Sequence, residues 1–541
     1  MMQRRRWFPW ASVAVLWAAF GLLMYNAQAQ SPTMDEQNHI ARGYALWRTG
    51  DPRLSVEHPP FINLLEAAPL LLRERPQLPL EDASWAGGEW YRFATLFLWE
   101  LNPDPDRIVF LARLPVVALT MLLAASAGRW AREVGGRRAG LMALSLVACD
   151  PNILAHGSLA TTDIGITATA LWAGYGVWRL AAAWKWRTAL LTAVALGAML
   201  GSKTSAPLFL GVFGLLFVGD ALCAGQFRRA LARLLLYGVL SFMALGVLWA
   251  CYAFQVAPAV AGGLSVPMGS YWAGILAVFK NVQGGHVSYL LGQTILAGWP
   301  LYFPITFAVK TPLPVLGLLL LSIPAAVKRE RRRVAIFLLT PVLLYWVFTL
   351  NSSLNLGYRH LLPTLPFLYV WAAQLAEGAP GKGGRITGRL AWMLSAWLAV
   401  EMVGIAPHFL AYFNPIGGGP ERGWQVVADS NIDWGQDLKY LRDYLVEHQL
   451  DTIKLSWFGA APPAAYGIAY EPLPGLPHHF NMWFEPPTFN EQHPEPGIYV
   501  ISVSNLVELS LDAKHFFAYF RAREPDVRIG YSIYIYEVKA P

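Results

Sequence analysis

The sequence predicts a mostly α, polytopic membrane protein that ends in a small α/β domain. Of its 541 residues, 55% are hydrophobic and only 14% are charged, whereas a soluble protein carries about 25% charged residues. Apolar segments long enough to cross a bilayer recur as far as residue 412, and segments of alternating polarity follow them. The formal net charge of +7 does not indicate nucleic-acid binding, because the basic residues lie in short loops between the apolar segments.

Roughly eleven apolar segments are predicted to span the membrane. Half of the 42 lysines and arginines lie in every second loop between these segments. The positive-inside rule places those loops in the cytoplasm, together with the N-terminus and its Arg4–Arg6. An odd number of spans then places the C-terminus outside. The predicted spans are 7–26, 108–128, 139–156, 164–182, 187–201, 206–223, 231–256, 311–327, 333–350, 361–376 and 389–412.

The first span also resembles a secretory signal. It has an arginine-rich start, an apolar middle and a possible cleavage site at Ala27-Gln28-Ala29. We expect this helix to be retained, because retention preserves the alternation of the charged loops. The three cysteines lie in or beside apolar segments and predict neither a disulfide framework nor a metal site.

Three long segments are predicted outside the membrane. The first, 27–107, carries apolar residues at helical spacing, which indicates helices that lie along the membrane surface or pack on the bundle. The second, 257–310, is rich in glycine and proline. The third, 413–541, is predicted to be an extracytoplasmic α/β domain, distinct from a transmembrane module over 1–412.

Periodicity within the C-terminal segment predicts its elements. Asp437–Val446 is predicted as a helix, and Thr452–Trp457, Gly497–Ser502 and Val527–Val538 are predicted as strands. Aromatic side chains in this segment form either its core, which we expect, or a surface that binds sugar or peptide. They are Trp434, Trp457, Phe458 and Tyr466.

Acidic residues at the predicted outer face are candidates for catalysis. Asp35 and Glu36 follow the first span, and Asp163 lies at the start of the fourth, where the helix dipole stabilises an anion. A solvated loop explains the first two, and an N-cap explains Asp163, without any catalytic role. If these acids share one cleft, however, one of them can act as a general base. Asp35, Glu36 and Asp163 are therefore the candidates for the catalytic set.

Basic residues outside the predicted cytoplasmic loops are the second set of candidates. Lys203 lies in a tight outside turn, Lys310 opens the eighth span, and Arg359 and His360 open the tenth. A charge near membrane depth costs a few kcal/mol and therefore needs a partner. The partner is either one of the acids, in a structural ion pair, or an anionic ligand such as a lipid phosphate. Several cations at one outer pocket favour the lipid phosphate.

His58 precedes Pro59-Pro60, which fixes an extended entry into the next helix. The histidine is therefore held beside the membrane surface. His58 joins Lys203, Lys310, Arg359 and His360 as a candidate for binding a lipid phosphate.

Taken together, these motifs resemble the GT-C membrane glycosyltransferases. The resemblance covers roughly residues 1–415 and rests on Asp35-Glu36, His58-Pro59-Pro60, Thr161-Thr162-Asp163 and Arg359-His360-Leu361-Leu362-Pro363. The group they resemble most is the dolichyl-phosphate-mannose–protein mannosyltransferases (glycosyltransferase family 39), with their bacterial phospholipid-carrier-dependent relatives. The stretch from Asp429 to Leu438 is similar to a motif in a bacterial branch of these enzymes.

The resemblance implies a GT-C-like fold and a reaction. A sugar, a mannose-like hexose or a related one, is transferred from a polyprenyl-phosphate carrier to an acceptor hydroxyl with inversion. Asp35 matches the family's catalytic base. Arg359, Lys203 and His360 would stabilise the departing lipid phosphate, and Glu36, Asp163 and His58 would orient the cleft.

The resemblance also bears on cofactors and partners. No cofactor is expected: some GT-C enzymes use a divalent metal, but family 39 members are thought not to, and the sequence has no tight cluster of histidines and aspartates. The 257–310 loop is too short for the MIR repeats of eukaryotic members, which favours a bacterial-type enzyme of the inner (plasma) membrane that uses undecaprenyl phosphate. The expected partners are the bilayer, the lipid-linked sugar and an acceptor on a protein Ser/Thr, a lipid or an envelope glycan.

Two functions without transfer chemistry stay open. A flippase that binds polyprenyl phosphate would use the same cations but would leave Asp35 idle. A secondary transporter is expected to have paired broken helices and ionisable groups near mid-membrane. The predicted spans are mostly free of charge in their middles, with Asp150-Pro151 as the main exception, which we interpret as the outer end of a short helix.

Overall fold

The structure is a computed structural model that describes residues 7–285, 287–295, 298–326, 328–378, 382–475, 490–509 and 515–540. Arg4–Arg6, predicted to mark the cytoplasmic side, lie outside the described residues. The described chain is mostly helical and ends in a small domain with a five-stranded sheet. The predicted fold class is thereby confirmed.

The helices follow one another along the chain, and the connections among the later bundle helices are mostly short. The α-helices are α1 (Trp7–Ala29), α2 (Glu36–Thr49), α3 (Phe61–Leu72), α4 (Ala83–Gly87), α5 (Trp90–Thr95), α6 (Pro105–Cys149), α7 (Pro151–Gly157), α8 (Thr162–Ala182), α9 (Trp186–Leu200), α10 (Ala206–Cys223), α11 (Phe227–Cys251), α12 (Gly269–Gly284), α13 (Tyr302–Lys310), α14 (Leu313–Ala326), α15 (Arg332–Leu350), α16 (Leu365–Ala372), α17 (Lys382–Ile405), α18 (Gly419–Arg422), α19 (Leu438–Glu447), α20 (Val503–Leu506) and α21 (Ala518–Arg521).

The strands form three sheets. The first two are antiparallel pairs, β1 with β2 and β3 with β4, and the third has the order β6-β5-β7-β9-β8. The strands are β1 (Val256–Pro258), β2 (Ser265–Pro267), β3 (Ser288–Leu290), β4 (Gln293–Ile295), β5 (Ile453–Ser456), β6 (Tyr470–Pro472), β7 (Gly497–Ser502), β8 (Val527–Ile529) and β9 (Ile533–Val538).

α6 consists of two arms that fold back on each other at Gly136, where φ is +88°. The arms touch at two further glycines: a Cβ on Gly128 would lie 2.9 Å from the carbonyl oxygen of Gly140. Only residues without a side chain allow so close an approach. The two arms correspond to the predicted spans 108–128 and 139–156, and α7 follows after a break at Asp150, as expected for Asp150-Pro151.

Six helices of the described residues are long and apolar enough to cross a membrane, or up to seven if the bent pair α13 and α14 is one span. The sequence predicts roughly eleven spans, and the structure has helical segments at each predicted position. The counts differ because α6 joins two predicted spans, α9 has only 15 residues, and α16 is short and flanked by 3₁₀ turns. α8, at the fourth predicted span, is also not one of the six helices. It is largely buried by its neighbours, so its threonines and glycines need not face lipid.

The first outer segment packs as a helical layer on the bundle. α2 lies so close to α3 that a Cβ on Gly43 would lie 1.9 Å from the carbonyl oxygen of Asn63. Ile40 and Tyr44 of α2 are buried in an apolar cluster that extends to Ala112 of α6. This burial of the apolar stripes holds the start of α2 against the bundle.

The C-terminal sheet is covered by α19, whose Leu438 and Leu441 are buried against it. The helix predicted at Asp437–Val446 is confirmed by α19, and β5 and β7 confirm two predicted strands. The single strand predicted over Val527–Val538 is wrong. β8 and β9 pair antiparallel around a turn, because Gly530 and Tyr531 adopt φ of +60° and +65°, which an extended strand does not contain.

The segment before α19 docks on the residues that follow α1. Ser31 donates its N–H to the carbonyl of Gln436 at 3.0 Å and its hydroxyl to the carbonyl of Gly435 at 2.8 Å. The N–H of Met34 donates to the carbonyl of Trp434 at 3.0 Å. Residues beyond the predicted boundary at 412 therefore build the same region as the first outer residues.

Candidate active site

Asp35 and Arg359 form an ion pair at the start of α2. The Oδ2 atom of Asp35 lies 3.0 Å from Nη1 of Arg359, and the aspartate side chain is 33% exposed. Asp35 is the N-cap of α2, yet its carboxylate makes no capping hydrogen bond. The second carboxylate oxygen is thus not committed to the helix, which suits a group that takes part in chemistry.

A second ion pair, between Asp163 and Lys203, is almost completely buried. Oδ1 of Asp163 lies 2.6 Å from Nζ of Lys203, and Nδ1 of His156 lies 3.9 Å from Oδ2. The suggested N-cap role of Asp163 is wrong, because Thr161 is the N-cap of α8 and Asp163 lies in its first turn. Lys203 approaches from the turn between α9 and α10, as the sequence predicts.

Arg359 connects the two ion pairs. Its guanidinium interacts most strongly with the charge of Asp35, and then with those of Asp163 and Asp429. His360, the next residue, is within electrostatic range of Lys203, Arg359 and Asp163. The structure therefore brings together Asp35, Asp163, Lys203, Arg359 and His360, which the sequence predicted separately.

The guanidinium of Arg359 is held from two sides. Its carbon lies 4.3 Å from the ring centroid of Trp434, a cation–π contact. Its Nε donates to the carbonyl of Leu356 at 3.2 Å, and the same carbonyl accepts from the hydroxyl of Ser430 at 2.7 Å. The bacterial-type motif around Trp434 is therefore part of the site. The sequence predicts Trp434 in the core of the C-terminal domain, but it lies in an apolar cluster with Leu23 of α1 and contacts Arg359.

Asn431 fixes the turn that carries Arg359. Its Oδ1 accepts the N–H of Tyr358 at 2.9 Å, and its Nδ2 donates to the hydroxyl of Tyr302 at 3.0 Å. Gly357 begins this turn with φ of +111°, and a Cβ there would lie 2.8 Å from Oγ of Ser430. Glycine is required on both counts.

Glu36 forms a buried ion pair with Arg113 and takes no part in the ion pairs of Asp35 and Asp163. Oε2 lies 2.7 Å from Nη2 of Arg113, and both side chains are at most 1% exposed. The carboxylate also accepts the N–H groups of Thr33 at 2.8 Å and Ala160 at 2.7 Å. Burial raises the pKa of Glu36, but the charge of Arg113 and these hydrogen bonds outweigh burial, and the pKa lies below its ordinary value.

Arg113 completes this cluster by binding the end of α1. Its guanidinium donates to the carbonyls of Ala27 at 2.8 Å, Gln30 at 3.0 Å and Ser31 at 3.0 Å. Sequence analysis missed Arg113 because it lies inside a predicted span. The signal that reveals it is a lone arginine in an apolar segment, which needs a buried partner.

Lys310 does not join the ion pairs of the site. Its amine donates to the carbonyls of Leu410 at 2.8 Å and Asn431 at 2.6 Å, and it lies 4.6 Å from the ring centroid of Phe413. The lysine ends α13 rather than opening the next span. Its contacts are those of a residue that ties the bundle to the C-terminal segment, in place of the predicted phosphate contact.

Two histidines of the first outer segment lie side by side at the edge of the site. The rings of His39 and His58 are 5.1 Å apart, and Nδ1 of His39 is 3.1 Å from Oδ1 of Asn63. Burial lowers the pKa of His39 to about 4 and holds that of His58 well below its ordinary value. Among the described residues, Nδ1 of His58 has no hydrogen-bond partner.

His360 is neutral for the same reason, since burial first, and then the charges of Lys203 and Arg359, hold its pKa well below the ordinary value. The residue predicted as a cation at this position is therefore a neutral imidazole, and its Nε2 has no hydrogen-bond partner among the described residues. Of the residues predicted to bind the lipid phosphate, Arg359 and Lys203 are the ones that carry a positive charge beside Asp35 and Asp163. The part of the chain that the structure describes contains no group of three or more His, Cys, Asp or Glu that could hold a metal ion.

Comparison with known proteins gives structural likenesses only. No protein-family model matches the chain, and no curated protein matches it. It is similar to ArnT from Cupriavidus metallidurans bound to undecaprenyl phosphate, with a TM-score of 0.48, 14% identity and 97% of each chain covered. It is also similar to the archaeal oligosaccharyltransferase AglB from Archaeoglobus fulgidus in complex with an inhibitory peptide and a dolichol-phosphate, with a TM-score of 0.44 and 11% identity.

The match with AglB covers 73% of this chain and 55% of that chain. ArnT and AglB are GT-C glycosyltransferases, the class that the sequence motifs resemble. At these TM-scores the residues of this chain, rather than the likenesses, carry any assignment of function.

Proposed function

We propose that the chain is a membrane glycosyltransferase that transfers a sugar from a polyprenyl-phosphate carrier to an acceptor hydroxyl at the extracytoplasmic face. The observation that carries the proposal is the partly exposed pair of Asp35 and Arg359, 3.0 Å apart. A carboxylate that can accept a proton and a guanidinium that can bind phosphate lie side by side. This combination suits transfer away from a phosphate leaving group.

In the proposed reaction Asp35 is the general base. It removes the proton of the acceptor hydroxyl as that oxygen forms a bond to the anomeric carbon of the sugar. The bond between that carbon and the phosphate oxygen breaks, and both of its electrons leave with the lipid phosphate. Attack from the face opposite the phosphate inverts the configuration, as the resemblance implies.

Arg359 and Lys203 supply positive charge for the leaving group. A phosphate on the fork of Arg359 competes with Asp35 for the same guanidinium, which releases the carboxylate to act as a base. Asp163 lies 2.6 Å from Lys203 and keeps that amine in place. The neutral imidazoles of His58 and His360 are suited to donate hydrogen bonds to phosphate or sugar oxygens without adding charge.

Glu36 and Arg113 are positioning residues in this proposal. They fix the end of α1 and the start of α2, and thereby the backbone of Asp35. The sugar is expected to be a mannose-like hexose or a related one, and the acceptor a protein Ser/Thr, a lipid or an envelope glycan. The proposed location is the inner membrane, with the C-terminal domain on the periplasmic side.

The test is transfer from a labelled polyprenyl-phosphate sugar by the purified chain with Asp35→Asn. This variant keeps the shape of the side chain but not its basicity, and the resulting loss of general-base catalysis is expected to lower the rate by about 10²–10⁴-fold. Asp51→Asn is the matched control, because Asp51 is an acid of the same outer segment that pairs with exposed Arg53. Normal transfer by Asp35→Asn would overturn the assignment.

The same variant distinguishes the alternatives without transfer chemistry. A flippase that binds polyprenyl phosphate would lose function with Arg359→Gln, but would keep it with Asp35→Asn. An enzyme loses transfer with either change. Binding of the lipid phosphate, measured separately, is expected to depend on Arg359 and not on the basicity of Asp35.

A further inference from the structure

A cavity of about 800 Å³ lies beside the bend of α6, between the two arms of that helix and α1. Arg132 of this cavity is 19 residues from Arg113, which corresponds to about 30 Å along a helix at 1.5 Å per residue. This is about the thickness of the hydrocarbon core of a bilayer. The cavity therefore lies at the membrane face opposite the candidate active site, the face that the charge pattern predicts to be cytoplasmic.

The cavity has apolar walls and a basic mouth. Its apolar side chains come from α1 and from the second arm of α6, and include Leu16, Leu141 and Leu144. Its basic side chains are Arg129, Arg132 and Arg137, which are exposed. Only 11% of the apolar stretch of α1 is buried in the protein, so most of this wall of the cavity is free to contact lipid.

The arginines are not neutralised by the acid that lies among them. Glu133 accepts a hydrogen bond from the hydroxyl of Tyr175 at 2.5 Å, and it lies 3.7 Å from Arg129 and 3.9 Å from Arg179. One carboxylate therefore serves two guanidiniums and a phenol. Among the described residues, no ion pair is found for Arg132 or Arg137.

We propose that this cavity binds an anionic phospholipid of the cytoplasmic leaflet. The phosphate lies on the guanidiniums of Arg132 and Arg137, with Arg129 beside them, and an acyl chain follows the apolar wall between α1 and the second arm of α6. Guanidiniums match phosphate geometry, and basic pockets between membrane helices on the cytoplasmic side bind anionic head groups. The site is independent of the chemistry at Asp35.

The test is native mass spectrometry of the full chain in detergent, titrated with phosphatidylglycerol and with phosphatidylcholine of the same acyl chains. The variant is R129Q/R132Q/R137Q, which keeps the side-chain stems. The matched control, R187Q/R228Q/R229Q, removes the same charge from other loops that the sequence predicts to be cytoplasmic. Thermal unfolding of each protein shows whether it is folded.

The wild type and the control are expected to bind phosphatidylglycerol at least about tenfold more tightly than phosphatidylcholine, and the cavity variant is expected to lose this preference. R132Q alone, which removes no ion pair found in the described chain, is expected to weaken binding severalfold if the triple variant does not fold. E133Q removes the competing carboxylate and is expected to strengthen binding.

Three outcomes would overturn the proposal. Equal losses in the cavity variant and the control would indicate diffuse surface charge. Equal affinity for the two lipids in the wild type would show that the arginines do not select an anion. Displacement of the lipid by inorganic phosphate at equal concentration would identify a phosphate site rather than a lipid site.

Discussion

The acidic residues of the site differ in how many hydrogen bonds and ion pairs their carboxylates already make. Asp35 has one carboxylate oxygen on Arg359 and a third of its side chain open to the outside. Glu36, its neighbour, has its carboxylate surrounded by Arg113, Thr33 and Ala160. A carboxylate with all its lone pairs occupied is a poor base, because protonation would break contacts that stabilise the fold. The adjacent acids therefore have different roles.

The first prediction concerns Arg113. Replacement by Met leaves Glu36 buried without its charge partner, which is expected to destabilise the fold by about 3–5 kcal/mol. The midpoint of thermal unfolding in detergent is expected to fall strongly. Arg107→Met is the control, since the pair of Arg107 with Glu74 is exposed at the arginine and such pairs contribute about 0–1 kcal/mol.

A double variant separates the charge from the packing of Arg113. Glu36→Gln together with Arg113→Met removes both charges, and it is expected to be more stable than Arg113→Met alone. A double variant that is as unstable as the single one would show that the three backbone carbonyls bound by Arg113, and not Glu36, account for the loss.

The sequence correctly predicted a charged partner for some cations that lie near membrane depth, where an unpaired charge is costly. Lys203 and Arg359 were expected to pair with an acid or an anion, and both pair with acids. Lys310 met the same criterion but donates to backbone carbonyls. Sequence position alone cannot distinguish these cases, because the carbonyls of Leu410 and Asn431 come from segments 100 and 121 residues away.

At the scale of elements, the turn before Arg359 and the 3₁₀ segment Asp429–Asn431 act as one unit. The side chain of Ser430 and that of Asn431 bind the backbone on both sides of Gly357. The shape of the turn therefore depends on its contacts with this 3₁₀ segment as well as on its own backbone hydrogen bond from His360 to Gly357. Arg359 is therefore placed by a segment that lies about 70 residues later in the chain.

The second prediction tests this unit with Gly357→Ala. The added Cβ meets Oγ of Ser430 at 2.8 Å and the backbone keeps φ of +111°, a conformation that costs about 1–3 kcal/mol for a residue with a side chain. We expect Arg359 to move and the transfer rate to fall by about 10²-fold. Gly211→Ala is the control, because a Cβ at Gly211 has no atom within 4 Å. Unchanged transfer in Gly357→Ala would exclude a role for the turn.

The third prediction concerns the contact between Trp434 and Arg359. Trp434→Phe keeps an aromatic face and is expected to retain most of the activity, whereas Trp434→Leu removes the cation–π contact, which contributes about 0.5–2 kcal/mol. The Michaelis constant for the lipid-linked sugar is expected to rise more than the turnover number falls. A loss of stability without a change in this constant, in both variants, would mean that Trp434 only fills space.

Across the protein as a whole, one buried acid joins two parts of the C-terminal segment that are far apart in the chain. Asp433 accepts the N–H of Ser504 at 2.8 Å, and its other oxygen has no hydrogen-bond partner among the described residues. Burial raises the pKa of Asp433 to about 8. The side chain is therefore protonated at neutral pH in the folded protein, although an unfolded aspartate ionises near pH 3.9.

The fourth prediction follows from this difference. Between pH 4 and pH 8 the folded state holds a proton that the unfolded state has released, so stability falls as pH rises through this window and levels off above it. Asp433→Asn removes this dependence. The slope of unfolding temperature against pH from 5 to 8 is expected to be smaller in this variant than in the wild type or in Asp451→Asn, an exposed control. Equal slopes in all three proteins would contradict a protonated Asp433.

Helices and strands could be predicted from the sequence only where a local pattern of apolar and polar residues determines them. Apolar length identified the helices, and alternation identified β5 and β7. The hairpin of β8 and β9 was missed because the alternation of side chains continues through Tyr531 and does not show that the backbone turns at Gly530 and Tyr531. The division at residue 412 follows composition, but hydrogen bonds between Ser31 and the Gly435–Leu438 stretch join the two parts. Such pairings depend on tertiary packing, which no local pattern contains.

These hydrogen bonds of Ser31 have a consequence for biosynthesis. Asp35 is translated about 400 residues before the backbone that supports it. At about 5–20 residues per second, the ribosome needs on the order of half a minute to reach that segment. On the proposed topology, the helices that follow α1 are exported during this interval without their final support. If the chain has the proposed activity, it is expected to be inactive until the segment that contains Gly435 has also crossed the membrane, which would prevent incomplete chains from consuming the lipid-linked donor.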